Sequence, residues 1–133
     1  MLIRRAAWDE IGALDEGYFM YVEEVDWCRR VRARGWQVWH QPAARAVHHG
    51  GQSTRQQASA MFIALWRSRL RYYGRHHDPG YNAAVRLLVR LGMRAAAHRA
   101  RRSLPPGPAL QDRLSAIETV RRLSASRFLA EGA

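Results

Sequence analysis

A short mixed α/β segment followed by a mainly α-helical extension is the fold class that the sequence predicts. Three observations carry it. Residues 36–42, WQVWHQP, alternate Trp36, Val38 and His40 with Gln37, Trp39 and Gln41 until Pro42 stops the run, which is the period of a strand. ARAVHH, residues 44–49, is a second extended candidate, closed by GGQS. After Thr54 apolar residues recur at helical spacing, interrupted by LPPGP at 104–108.

The elements follow in order. A short helix is expected over 5–14, where RAAWDEIGAL sets Ala6, Trp8 and Ile11 at loosely helical spacing. Gly17 and its flanking acids mark a loop. From Glu23 to Arg34, Val25, Cys28 and Val31 make an apolar stripe at i, i+3, i+6, and Gly35 is the stop. Acids fill the first turn and arginines the last, the order that the helix dipole favours. After the two extended segments, helices are expected from Gln56 to about Tyr73, from about Asn82 to Arg102, and from about Leu110 to Leu129. Four units result: 1–55, carrying the mixed α/β part; 56–103, a basic amphipathic extension; 104–108, a Pro-rich linker; and 109–133, a terminal helix.

With 133 residues and 47% hydrophobic content, the chain can bury a core and is no disordered basic tail. Its single cysteine, Cys28, rules out an intrachain disulfide framework. Arginines at 4 and 5 follow Leu2 and Ile3 at once, so no secretory signal is expected in these first residues, and arginines break every apolar run that could span a bilayer. Charge is unevenly placed. Residues 1–26 sum to −5 and the remainder to +16, with no lysine anywhere. The arginine-rich part must meet phosphates, nucleic acid or anionic lipid, or stay solvated.

Two segments could carry chemistry. In YFMYVEEVDWCRR, residues 18–30, Glu23, Glu24 and Asp26 crowd three carboxylates beside Tyr18, Phe19, Met20 and Trp27. A solvated helix start is one reading; a general base whose proton affinity is raised by desolvation and neighbouring charge is the other. In HHGGQST, residues 48–54, His48 and His49 point to opposite sides if extended, and Gly50-Gly51 could wrap backbone N–H groups around a phosphate or form a plain turn. Two histidines and one distant cysteine do not make a zinc site.

Taken together these segments resemble the C-terminal half of the catalytic domain of family 2 glycosyltransferases, in a rhamnosyltransferase-like subgroup with the GT-A, Rossmann-like fold. The run LDEGYFMY, then Glu23, Asp26, Trp27, Cys28, Arg30, Gly35, Trp36 and His49-Gly50-Gly51 with Ser53, carries the resemblance over about residues 1–55. RSRLRYYGRHH, further on, resembles the same subgroup less distinctively. The resemblance implies an inverting, metal-dependent enzyme that moves a sugar, rhamnose or another deoxyhexose, from a nucleotide-diphosphate donor to a hydroxyl of a cell-envelope glycan or polyprenyl-linked acceptor. It makes Glu24 the base, in a position where the family usually has Asp, with Glu23 and Asp26 as the other catalytic candidates. His48, 24 residues beyond Glu24, is the expected ligand of Mg²⁺ or Mn²⁺, with His49 as second choice. Gln52, Ser53, Thr54 and Arg55 are candidates for holding donor phosphates. No Asp-x-Asp metal motif occurs in the chain and the match starts in mid-domain, so Met1 is expected to be internal and the chain to be an inactive fragment without the donor-binding half.

The basic helices leave a different class of function open. In NAAVRLLVRLGMRAAAHRARR, Arg86, Arg90, Arg94 and His98 recur every fourth residue beside Val85, Leu87, Leu88, Val89, Leu91 and Met93. Such a helix can lie in a membrane interface or pack with a solvated arginine face. The alternative function is therefore a non-catalytic basic module that binds membrane or nucleic acid through residues 67–102. Nucleic acid is the weaker partner, since no binding motif appears and aromatics are not interleaved with the arginines. For the enzyme, a cytoplasmic place peripheral to the inner face of the cytoplasmic membrane is expected.

Overall fold

The computed structural model describes residues 1–47 and 57–126. Five helices are their regular structure: α1 (Arg5–Ile11), α2 (Glu23–Ala33), α3 (Ala58–His76), α4 (Pro79–Ser103) and α5 (Pro108–Ala125). No strand occurs among the described residues, which overturns the mixed α/β expectation. WQVWHQP alternates as a strand would, but no described segment pairs with its backbone to form a ladder. Its first residue serves the end of α2 instead. Trp36 N–H reaches Val31 O at 3.2 Å and Gly35 N–H reaches Arg32 O at 3.1 Å, with Gly35 at φ 84°. That is the glycine-closed helix ending in which two otherwise unpaired carbonyls are satisfied.

The helix boundaries follow local chemistry. Asp78 starts α4 by accepting a hydrogen bond from Tyr81 N–H at 3.0 Å, with Pro79 in the first turn where its missing N–H costs nothing. Pro108 opens α5 in the same way. The expected apolar stripe on α2 is rotated. Val25 is exposed and Cys28 only partly buried, whereas Asp26, Trp27 and Val31 face inward.

Two apolar clusters hold the chain. Helices α3, α4 and α5 form an antiparallel-type bundle around Leu70, Val89, Met93, Ala100, Ile117 and Val120. Helices α1 and α2 close over Ala7, Trp27 and Val31, backed by Ile3, Ile11, Leu14 and Trp36. Trp27 Nε1 donates to Gly12 O at 2.9 Å, and Trp36 Nε1 to Glu10 at 2.9 Å, so both indoles bury their rings without stranding a donor. The residue 12–22 loop and the inner side of α2 then meet α3 through polar groups.

Candidate functional site

Asp26 is the centre of that polar junction. It sits in the first turn of α2 and has 0% exposure. Its Oδ2 accepts from Arg30 Nε at 2.9 Å, one turn along the helix. Its Oδ1 accepts from His76 Nε2 at 2.6 Å and from Tyr18 Oη at 3.2 Å, and Arg75 Nε lies 4.0 Å away. Burial by itself would raise the Asp26 carboxyl, but the hydrogen bonds from His76 and Arg30 and the charge of Arg75 outweigh it and hold the group below its ordinary value. Burial and the facing Asp26 carboxylate push the Tyr18 hydroxyl well above its ordinary value, so Tyr18 remains a donor.

The same donors lock neighbouring backbone. Arg30 reaches on to Ile11 O at 3.1 Å and Ala13 O at 2.9 Å. Arg29 donates to His76 O at 2.9 Å, and Ser68 Oγ to Met20 O at 2.7 Å. Asp15 pairs with Arg71 at 3.0 Å and with Arg75, and accepts from Gly17 N–H at 2.8 Å. Partial burial opposes ionisation of Asp15, yet the Gly17 hydrogen bond and Arg71 bring its carboxyl below the usual range. Tyr21 and Val22 enter α2 at φ 69° and 73°, a left-handed pair without glycine that costs about 1–2 kcal/mol per residue. Strain of that kind persists where surrounding contacts impose it. Here they fix the start of α2.

The three acids of the segment diverge. Asp26 has both oxygens engaged and is an anchor. Glu23 is partly buried, and its Oε2 is buried without a hydrogen-bond partner among the described residues. Glu24 is exposed, and no described residue pairs with it. His48, His49, Gln52, Ser53, Thr54 and Arg55 lie outside the described residues. Among the described residues no group of three His, Cys, Asp or Glu side chains could hold a metal ion.

Sequence reasoning missed the partners of Asp26. Tyr18, Arg75 and His76 come from outside α2, His76 from 50 residues away, and a helical wheel of α2 cannot show them. It also missed a cleft of about 770 Å³ lined by Ile3, Trp27, Val31, Trp36, Val38 and Trp39, among others. The available signal was RSRLRYYGRHH, which contains two of the partners, Arg75 and His76.

The comparisons relate the chain to glycosyltransferases. It is 31% identical over 98 residues to N-acetylglucosaminyl-diphospho-decaprenol L-rhamnosyltransferase of Mycobacterium tuberculosis, a match that covers 74% of this chain and 32% of that protein. It is 33% identical over 75 residues to Rhamnosyltransferase WbbL of Escherichia coli K12, covering 56% of this chain and 28% of that protein. The chain thus matches about a third of the length of these curated relatives. No family model matches the chain, and no solved structure does.

Proposed function

We propose that this chain is the acceptor-side part of an inverting, family 2-type glycosyltransferase that moves rhamnose, or another deoxyhexose, from a nucleotide-diphosphate donor to a hydroxyl of a lipid-linked cell-envelope glycan. The observation that carries the reading is the sorting of the three acids. Asp26 is spent on the α2–α3 junction, Glu23 turns partly inward, and Glu24 remains exposed on a helix start that cannot drift. A base needs that combination of access and fixed position.

In the proposed reaction Glu24 takes the proton of the acceptor hydroxyl as its oxygen attacks the anomeric carbon. The bond from that carbon to the nucleoside diphosphate breaks, and the leaving group departs with the electron pair on the opposite face. The extra methylene of Glu, relative to the usual Asp, moves the carboxylate by roughly a bond length and sets how the acceptor must approach. In the intact enzyme Mg²⁺ or Mn²⁺, with His48 as its ligand from this chain, would offset charge on the donor diphosphate. Gln52, Ser53, Thr54 and Arg55 are proposed to hold donor phosphate oxygens. The place of work is the cytoplasmic face of the membrane, where a lipid-linked acceptor is found.

The test is transfer of labelled sugar from nucleoside-diphosphate rhamnose to a polyprenyl-diphosphate-linked acceptor, using the longest polypeptide its coding region yields. Donor-dependent product supports the proposal. Salt-sensitive binding to DNA with no affinity for nucleotide sugars refutes it and favours the non-catalytic basic module.

A further inference from the structure

Helix α4 has two apolar sides. Val89, Met93 and Ala100 face the bundle, and Arg86 turns inward with them to donate to Leu123 O and Ser126 O at 3.3 and 2.6 Å. At about 100° per residue the opposite side of the helix is centred on Leu91, with Leu87 and Leu88 on either flank. These three are 51%, 67% and 48% exposed in the order Leu87, Leu88, Leu91, and Tyr81, 44% exposed, stands at the N-terminal end of the same side. No described element covers them. Around this strip lie Arg90, Arg94, Arg99, Arg101 and Arg102, all exposed.

Several arginines on the neighbouring helices are paired with acids instead. On α3, Arg71 and Arg75 pair with Asp15, and on α5, Arg121 and Arg122 pair with Glu118. Between Pro79 and Ser103 there are six arginines and no acid, and no described carboxylate pairs with any of the five that face outward. A solvated arginine face would account for the charges but not for three exposed leucines in their midst. A nucleic-acid surface would set polar or stacking groups between the arginines, not aliphatic ones.

We infer that the outward face of α4 docks on an anionic lipid bilayer, with Leu87, Leu88 and Leu91 entering the acyl boundary and the arginines reaching up to lipid phosphates. Arginine suits both tasks, because its stem lies along apolar surface while its guanidinium forks onto phosphate oxygens. Tyr81 belongs at the headgroup level, where an amphipathic ring is favoured. No described helix is long and apolar enough to cross a membrane, and α4 would lie along the surface. The inference deepens the lipid-linked-acceptor reading and rests on it only for what the docking would serve.

The experiment is flotation of the 133-residue chain with vesicles of phosphatidylcholine containing about a third phosphatidylglycerol, with pure phosphatidylcholine vesicles and duplex DNA as parallel arms. No sugar donor is present, so failure here leaves sugar transfer standing, and loss of transfer leaves docking standing. Two double variants are compared at equal helical content by circular dichroism: Leu88→Gln with Leu91→Gln, and Arg90→Gln with Arg94→Gln. Each should weaken binding to the anionic vesicles by about tenfold or more, and pure phosphatidylcholine should bind far less. Absence of binding to anionic vesicles overturns the inference, as does wild-type vesicle binding by the leucine variant. Tighter binding to DNA, insensitive to the leucines, overturns it in favour of a nucleic-acid surface.

Discussion

Asp26→Asn removes one negative charge from a fully buried position and leaves Arg30, His76 and Arg75 facing a neutral amide. The amide keeps the shape of the side chain, but its NH₂ aims a donor at groups that already donate. Breaking a buried ion pair by removing one partner costs about 3–5 kcal/mol. Arg30 keeps Ile11 O and Ala13 O as acceptors, and Arg75 keeps Asp15, which sets the expected loss at the lower end, about 3 kcal/mol. At about 4 °C per kcal/mol for a chain of this size, the thermal midpoint should fall by about 12 °C. Urea denaturation at pH 7, followed by circular dichroism and tryptophan fluorescence, measures it. Asp9→Asn is the comparison: the Arg5–Asp9 pair is exposed on both sides and should contribute no more than about 1 kcal/mol. Equal effects of the two variants, or a loss below about 1 kcal/mol at Asp26, would refute the junction as a source of stability.

Acid should act through the same groups. Asp26 and Asp15 both lie below the ordinary carboxyl range when folded, so their stabilisation is full above about pH 4 and is lost as pH falls through their folded values. The unfolding free energy of Asp26→Asn should therefore depend less on pH below about 4 than that of the parent chain. Gly17→Ala would place its methyl against the Arg71 guanidinium and push it off Asp15, a loss of about 1 kcal/mol that should vanish when Asp15 is already Asn. Leu70→Ala opens a cavity at the centre of the α3–α5 bundle and should cost about 2–5 kcal/mol by the same denaturation assay.

The helices were legible because their signals are local. Glu23–Ala33 is within a residue of expectation, since the acids, the arginines and Gly35 mark its ends. Helix α4 starts three residues before the expected Asn82, because Asp78 caps it and Pro79 is its first residue. The strand was misread because alternation predicts only half of what a strand needs, and the other half is a partner absent from the described residues. On α2, the period suggested Val25 as core, yet the charged junction with α3 turned Asp26 and Arg30 inward and left Val25 outside. The crowding of Glu23, Glu24 and Asp26 was visible in the sequence, but their separation into anchor, half-buried acid and free acid depends on Tyr18, Arg75 and His76.

Sugar transfer by Glu24→Gln tests that separation most directly, measured on the longest polypeptide of the coding region beside Asp26→Asn and the parent. Glutamine keeps the shape and hydrogen bonding of Glu24 but cannot take a proton, so turnover should fall by roughly two orders of magnitude or more. Donor affinity and thermal midpoint should stay at parent values, because Glu24 is exposed and bonded to no described residue. Asp26→Asn should show the reverse pattern, with lowered stability and turnover that recovers on cooling. Near-parental turnover in Glu24→Gln would contradict the assignment of the base, and a destabilised Glu24→Gln would show that the exposed acid is structural.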